Sequence, residues 1–116
     1  MAHYQLVAFT NPVAGREDEY NAWYDGRHLP DVLAVPGFVA AQRFKVADDN
    51  AQAAHRYLAI YDIESDDVGA TMAGLMATVG TPAMTISDAM DASTVTATLY
   101  APITPKLPAP PRGQQP

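Results

Sequence analysis

The segment 21–38 of this 116-residue chain reads NAWYDGRHLPDVLAVPGF and joins a predicted helix to a predicted strand. Tyr20, Tyr24 and His28 follow one another at intervals of four residues, so a helix places them in one row. Pro30 has no N–H to donate in a helix interior, and its ring would clash with the carbonyl group four residues earlier. We therefore expect the helix to kink or restart there, which would place His28 at the mouth of a gap.

Signals on both sides of this segment predict two helices and four strands. The first helix is expected over residues 15–25, with three consecutive carboxylates in its first turn, where they suit the helix dipole. The second helix is expected to begin after Ser65 or Asp66 as its cap. Its apolar stripe consists of Val68, Met72, Leu75, Met76 and Val79. The predicted strands cover residues 4–10, 38–47, 56–64 and 93–101.

The order of these elements, β-α-β-β-α-β, predicts the α+β ferredoxin-like fold, a four-stranded antiparallel sheet with two helices on one face. The other face of the sheet carries apolar residues that would remain wet in a single copy. Two sheets that meet face to face remove this surface from water, so we expect a homodimer that forms an α/β barrel. Residues 1–101 would form this domain, and the Pro-rich residues 102–116 an extended tail.

The composition restricts the classes of function. The formal net charge is −6 at pH 7 and there is no basic stripe, so we expect no nucleic-acid partner. The chain has no cysteine, which excludes disulfides, thiolate catalysis and cysteine-ligated metals. No apolar stretch approaches a membrane span, and the first residues lack the features of a signal peptide. These observations favour a cytoplasmic protein with no membrane partner.

The stretch EYNAWYDGRHLPDVLAVPGF, followed by VAAQRF in the next predicted strand, resembles the dimeric α/β-barrel superfamily, and within it the EthD-like group. The shared hallmark is a histidine, one residue and a proline, here His28 and Pro30, ahead of the turn Pro36-Gly37. The resemblance covers about 100 residues of the β-α-β-β-α-β unit. The superfamily includes polyketide cyclases, muconolactone-type isomerases, cofactor-free monooxygenases and haem enzymes, so the fold does not fix the reaction. Only His28 is carried over by the motif.

Three residues are candidates for catalysis. His28 is the first, because an imidazole ordinarily titrates near neutrality and can accept or donate a proton. Tyr61 and Tyr24 follow, since a buried hydroxyl near His28 would stabilise developing negative charge. Each has a structural alternative: His28 as a cation at the helix C-terminus, and the tyrosines as core residues that bond elsewhere.

Six further residues are candidates for binding a substrate, because polar atoms on otherwise apolar faces are typical of small-molecule cavities. They are His3, Gln5, Tyr20, Asp31, Arg43 and Tyr57. Asp31 would orient His28, and Arg43 would bind a carboxylate or phenolate unless it forms an exposed salt bridge. Four methionines would line an adaptable apolar pocket or fill the core, namely Met72, Met76, Met84 and Met90.

These residues favour an enzyme that acts on a small, apolar, aromatic or polyketide-like molecule by histidine-mediated proton transfer, of the lyase, isomerase or cyclase type. Two alternatives stay open. One is a cofactor-free monooxygenase, and the other is a dimer that binds a small ligand without catalysis. We expect no metal, because neither H-x-x-E-H nor H-E-x-x-H occurs, and no organic cofactor.

Overall fold

The computed structural model describes residues 1–48 and 52–114 of the chain. The strands are β1 (Ala2–Thr10), β2 (Phe38–Lys45), β3 (Tyr57–Ser65) and β4 (Thr96–Tyr100). The helices are α1 (Glu17–Trp23), α2 (Leu29–Leu33) and α3 (Val68–Thr78), and a π-helical turn over Tyr24–His28 joins α1 to α2. Two short 3-10 turns cover Ala92–Thr94 and Arg112–Gln114. The predicted β-α-β-β-α-β order and α+β ferredoxin-like fold are confirmed.

The four strands form one antiparallel sheet in the order β2-β3-β1-β4. The two central strands pair along their whole length, from Ala2 opposite Ser65 to Thr10 opposite Tyr57. Their alternating side chains point to opposite faces, so pairing in register sorts the sheet into two surfaces. The inner face, which the helices cover, carries Leu6, Ala8, Thr10, Tyr57, Ala59, Tyr61 and Ile63, all of them buried.

The chain stays helical from Glu17 to Leu33, and the predicted interruption takes the form of a π-helical turn after which the α-helix begins again at Leu29. The backbone N–H of Leu29 bonds the carbonyl of Tyr24, five residues back, which is the π-helical spacing. The wider turn accommodates the ring of Pro30 and the absence of an N–H on that residue. The helix α2 follows directly, with Pro30 in its first turn. His28 therefore lies inside a helical run, at the point where that run is locally widened.

The predicted second helix, α3, begins one or two residues later than expected. Its cap is Asp67, whose carboxylate accepts a hydrogen bond from the N–H of Ala70 at 3.1 Å. Ser65 lies at the end of β3 and binds the hydroxyl of Thr71 at 2.8 Å. The apolar stripe is only partly buried, because Met76 keeps 67% of its surface exposed. The apolar face of α3 thus extends beyond the core.

The turn before β2 requires its glycine. Gly37 has a φ of +99°, a conformation that side chains with a Cβ rarely adopt. A Cβ at this position would lie 2.8 Å from Cγ2 of Thr71. The close approach of this turn to α3 therefore depends on the absence of a side chain, as the Pro-Gly signal indicates.

The described part of the tail holds neither helix nor strand from residue 101 to residue 111. Its apolar side chains are open to solvent, with 96% of Ile103 and 77% of Leu107 exposed. No helix within the described residues has both the length and the apolar character needed to cross a bilayer.

Candidate active site

A cavity of about 390 Å³ lies between the inner face of the sheet, the π-helical turn, α3 and the segment 79–97. Most of its lining is apolar, and its polar side chains are those of Thr10, Tyr24, His28 and Tyr61. The apolar lining comprises Leu6, Ala8, Val32, Leu75, Met76, Val79, Met84, Ile86, Met90, Ala92, Val95 and Ala97. An apolar cavity with a few grouped polar atoms is the usual form of a small-molecule site.

His28 is held against two aromatic rings. Its imidazole stacks on Trp23 at a centroid distance of 4.7 Å and meets Tyr24 edge-on at 4.9 Å. Its Nδ1 atom is buried and has no hydrogen-bond partner among the described residues. Burial lowers the pKa of His28 from 6.5 to about 4; the charge of Asp31 opposes this shift and that of Arg43 adds to it. The imidazole is therefore neutral near pH 7, and a buried nitrogen is left without a partner.

The hydroxyl groups of Tyr24 and Tyr61 form a hydrogen bond at the wall of the same cavity. Their oxygen atoms are 3.2 Å apart and buried. Burial raises the pKa of both phenols above the ordinary value of 10, so both stay protonated. Two neutral, buried hydroxyls are suitable donors to an oxygen that becomes negative. The structure thus brings together the three residues predicted for catalysis, and their catalytic role stays a prediction.

Arg43 does not line the cavity, so its predicted contact with a substrate is not supported there. The guanidinium lies over the ring of Tyr24, at 4.3 Å from the centroid, and 5.3 Å from the centroids of Tyr20 and Tyr57. It bonds Asp25 at 2.7 Å and Asn21 at 2.9 Å. The alternative of a salt bridge is confirmed, since Arg43 pairs with Asp25, whose side chain is 65% exposed, while 13% of the Arg43 side chain is exposed.

Tyr20 and Tyr57 lie behind the cavity wall. The hydroxyl of Tyr20 bonds that of Thr10, which does line the cavity, and the hydroxyl of Tyr57 bonds Glu17 and accepts from Asn21. Neither tyrosine is part of the lining, so both support the wall and do not reach a ligand in this cavity. Helical spacing correctly placed Tyr20 on the same side of the helix as Tyr24 and His28. It did not show that Tyr20 lies behind the cavity wall.

Asp31 acts on His28 through its charge alone. Its carboxylate binds Nε of Arg27 at 2.7 Å, one helical turn back, and 18% of its side chain is exposed. Asp31 is absent from the lining, and the unpartnered Nδ1 of His28 shows that the expected orienting hydrogen bond is not made to that atom. The carboxylate is occupied by the arginine that precedes it.

His3 and Gln5 lie on the outer face of the sheet, so their predicted place opposite His28 is wrong. The register pairs Gln5 with Asp62 and His3 with Glu64, and their side chains meet at 3.0 Å and 3.4 Å. Tyr61, one residue away from Asp62, points to the inner face. The two residue rows that the sequence suggested as one wall belong to opposite faces.

Other lining residues were not identified from the sequence. The inner face of β1 contributes Leu6, Ala8 and Thr10, which is the strand face that the prediction left out. Ile86 and Val95 come from the irregular segment 79–97, where no periodic pattern marks a face. Of the four methionines considered as pocket residues, Met76, Met84 and Met90 line the cavity. The structure shows Met84 fully buried, so the methionines of this irregular segment were the signal in the sequence that the segment covers the site.

The residues around the cavity can be compared with what two kinds of bound group, a metal ion and haem, would require. In the described part of the chain, no cluster of three or more His, Cys, Asp or Glu is placed to hold a metal ion. Haem, which some members of the superfamily hold, carries propionates that pair well with basic side chains. The lining of the cavity contains no Lys or Arg among the described residues. The residues do not fit haem, and we derive no step through it.

No protein-family model and no curated protein sequence matches the chain. A proposed monooxygenase from Shewanella loihica PV-4 superposes with a TM-score of 0.62 at 14% identity, over 90% of this chain and 97% of that one. A monooxygenase from the gene ActVA-Orf6 of Streptomyces coelicolor, in complex with nanaomycin D, gives a TM-score of 0.52 at 17% identity, over 93% of each chain. An EthD family protein of Bacillus halodurans gives 0.51 at 11% identity, over 87% of this chain and 99% of that one.

These similarities confirm the ferredoxin-like α+β fold. An EthD family protein is among the structures that share it, in agreement with the resemblance in the segment around His28. At such low identities the likeness concerns architecture and does not extend to the reaction.

Proposed function

We propose that the protein is an enzyme whose substrate is a small hydroxylated aromatic molecule, held in the cavity between the π-helical turn and the sheet. The observation that carries this proposal is the buried Nδ1 of His28, which lacks a partner at the wall of an apolar cavity. A buried polar atom without a partner is costly, and a ligand hydroxyl would remove that cost. The apolar lining suits the ring system of such a ligand.

The neutral state of His28 fits the role of acceptor. A substrate hydroxyl would donate to Nδ1, and the same oxygen would accept from the hydroxyl pair of Tyr24 and Tyr61. Transfer of the proton to His28 leaves a phenolate whose charge the tyrosines stabilise. The ion pair of imidazolium and phenolate makes the proton transfer more favourable than the low pKa of the empty site suggests, because each charge stabilises the other in a medium of low dielectric constant.

We further propose that the deprotonated ring reacts with molecular oxygen, as in the alternative of a monooxygenase. Two proteins that share the fold are described as monooxygenases, one of them with nanaomycin D bound, and this supports the choice. With 1-naphthol as the test substrate, one naphthol and one O2 would give one 1,4-naphthoquinone and one water. One oxygen atom becomes the new carbonyl oxygen, and the other leaves in water with two hydrogens from the substrate.

Isomerase or lyase chemistry is the second candidate, since it begins with the same proton transfer to His28. The two candidates differ in their need for oxygen. Under air, 1-naphthol and larger polycyclic phenols should be consumed with one O2 per molecule, and under argon they should persist. Consumption under argon would favour the second candidate, and binding without any turnover would favour a ligand-binding protein.

The variant His28→Ala tests the residue that the proposal depends on. It should lose turnover and bind 1-naphthol about tenfold or more weakly, because a hydrogen bond to a buried acceptor is lost. Binding of 1-methoxynaphthalene, which has no hydroxyl proton, should change little. His3→Ala is the matched control, since that imidazole is exposed on the outer face. Full turnover by His28→Ala would contradict the proposal.

We also propose that the protein forms a homodimer through the outer face of the sheet. That face exposes large apolar side chains, with 53% of Val39, 40% of Phe44 and 54% of Tyr100 accessible. These side chains lie on β2 and β4, the two edge strands of the sheet, so the exposed apolar surface extends to both edges of the outer face. A second copy of the same sheet would cover it with matching shape and symmetry.

A further inference from the structure

The charge of Arg43 lies outside the cavity and yet contacts a group at its wall. Its guanidinium carbon is 4.3 Å from the centroid of the Tyr24 ring, while the hydroxyl of the same ring meets Tyr61 at the cavity. A cation over an aromatic face is attracted to the ring and draws electron density from it. Tyr24 therefore connects the charge of Arg43, whose side chain is 13% exposed, to the hydroxyl pair.

The position of this charge is fixed on two sides. Asp25 and Asn21, both from the helical run, accept hydrogen bonds from Arg43 at 2.7 Å and 2.9 Å. Arg43 itself is anchored on β2, where it pairs with Ala59 of β3. Held away from bulk water, the charge acts on its neighbours with less screening than at the surface.

The two hydroxyls are not equivalent with respect to this charge. Among the described contacts, Arg43 lies over the rings of Tyr24, Tyr20 and Tyr57, and Tyr61 is not one of them. The charge of Arg43 lowers the pKa of both phenols, but of these two rings its guanidinium contacts that of Tyr24. A cation over a ring face favours the phenolate form and makes the hydroxyl of that ring the more acidic one. When two hydroxyls share a hydrogen bond, the more acidic one is the better donor, which here is Tyr24.

We propose that Arg43 sets the direction of a hydroxyl chain in which Tyr24 donates to Tyr61 and Tyr61 donates to an oxygen atom of the ligand. Arg43 is then a positioning residue that acts through Tyr24. Tyr61 is the donor that touches the ligand, and its preferred partner is a phenolate or enolate oxygen. The ligand end of this chain rests on the proposed function.

The direction can be measured first without any ligand. In the ligand-free protein, NMR detection of the hydroxyl protons of Tyr24 and Tyr61 should place the shared proton on Tyr24. In Arg43→Met the preference should weaken or reverse. A shared proton found on Tyr61 in the wild type would overturn the proposal, whether or not 1-naphthol binds.

A double-mutant cycle on the affinity for 1-naphthol then tests the path through Tyr24. Arg43→Met should weaken binding about three- to tenfold, and Tyr24→Phe by a similar factor. In the Tyr24→Phe background, Arg43→Met should have no further effect, because the ring no longer carries a hydroxyl to polarise. Tyr61→Phe should weaken binding more than Tyr24→Phe does. Additive losses, or a larger loss from Tyr24→Phe, would overturn the proposal.

Three further variants separate the effect from a loss of folding. Arg16→Met removes an arginine that pairs with Glu19 and Asp88 away from the hydroxyls, and it should leave the affinity unchanged. Arg43→Lys keeps the charge without the flat guanidinium, and Asp25→Asn keeps Arg43 but weakens its anchor. Arg43→Lys and Asp25→Asn should each bind 1-naphthol less tightly than the wild type. In the Tyr24→Phe background, neither change should weaken the binding further. Wild-type affinity in both would overturn the proposal even if Arg43→Met does not fold.

Absence of 1-naphthol binding by the wild type would instead contradict the proposed function, and the proton positions would still be measured.

Discussion

The imidazole of His28 lies against the indole of Trp23, with ring centroids 4.7 Å apart and planes inclined by 27°. The same indole donates its Nε1–H to the carbonyl of Thr85 at 3.2 Å. One side chain thus connects the π-helical turn with the segment 79–97 that covers the cavity. The environment of His28 therefore depends on whether that segment is in place.

Removal of the indole should raise the pKa of His28. Burial is the largest cause of the low value of about 4, and Trp23 supplies one face of that burial. In Trp23→Leu the pKa should move toward 6.5, whereas Trp23→Phe keeps a stacked ring and should change it less. The pKa of His28 in both variants is measured from the NMR chemical shift of an imidazole carbon as a function of pH. An unchanged pKa in Trp23→Leu would show that Trp23 does not control the burial.

The stability of the protein should fall with pH below neutrality because of His28. Its pKa is lower in the folded state, about 4, than the ordinary 6.5, so the unfolded state binds more protons between these values. The neutral imidazole contributes its full stability above pH 6.5, and this contribution is lost as the pH falls toward 4. We expect about 1–2 kcal/mol after allowance for partial exposure of the ring.

The variant His28→Asn isolates this contribution. Urea unfolding of both proteins between pH 7.5 and pH 4.5 gives the difference in their free energies of unfolding at each pH. The wild type should lose stability relative to the variant as the pH falls. A difference that does not depend on pH would mean that His28 titrates alike in the folded and unfolded states.

The turn at Gly37 should not accept a side chain. Gly37→Ala places a Cβ at 2.8 Å from Cγ2 of Thr71 on a backbone with a φ of +99°, and we expect a loss of about 1–3 kcal/mol in the free energy of unfolding. Gly26→Ala is the matched control, since no atom lies within 4 Å of its Cβ position. That change should be neutral or stabilising by up to about 1 kcal/mol. Equal effects of the two changes in denaturant unfolding would contradict this account.

The start of α3 should depend on Asp67 and not on Asp66. Asp67→Ala removes the carboxylate that accepts from Ala70, and it should lower the free energy of unfolding by about 1 kcal/mol. Asp66→Ala removes a neighbouring exposed carboxylate of the same charge and should have little effect. Thermal unfolding of the two variants compares them directly.

A charge in the centre of the outer face should disrupt the proposed dimer. Val7 of β1 pairs with Ile60 and Thr98, so Val7→Lys places an ammonium group in the middle of that surface. Light scattering after size-exclusion chromatography should show a dimer for the wild type and a monomer for the variant, because burial of an unpaired charge is costly. Wild-type protein that remains monomeric at micromolar concentration would contradict the interface.

The sequence pattern was sufficient for the order of elements and for the grouping of Tyr24, His28 and Tyr61. The row of Tyr20, Tyr24 and His28 follows from helical spacing. The segment stays helical through the π-helical turn, so these residues remain on one side of it. Tyr61 is found by alternation along β3, since every second residue of a strand faces the same way. Both patterns are local and need no knowledge of which element packs on which.

The errors concern relations between distant elements. The face of β1 that meets the helices is decided by its pairing with β3, and nothing local distinguishes the row of His3 and Gln5 from the row of Leu6 and Ala8. The position of Arg43 depends on three tyrosines and Asp25, which come from three other elements. Alternative strand faces and long-range ion pairs cannot be separated by composition or spacing in one chain.

The π-helical turn makes the site sensitive to chain length. A deletion of one residue within Tyr24–His28 would allow an ordinary α-helix to run through the segment. An α-helix turns by about 100° per residue and the π-helical turn by less, so the turn accommodates one extra residue while α2 keeps its direction relative to the sheet. The local widening at His28 therefore comes from one additional residue within Tyr24–His28, and relatives that lack it should keep the same helix faces but lose the widening at this position.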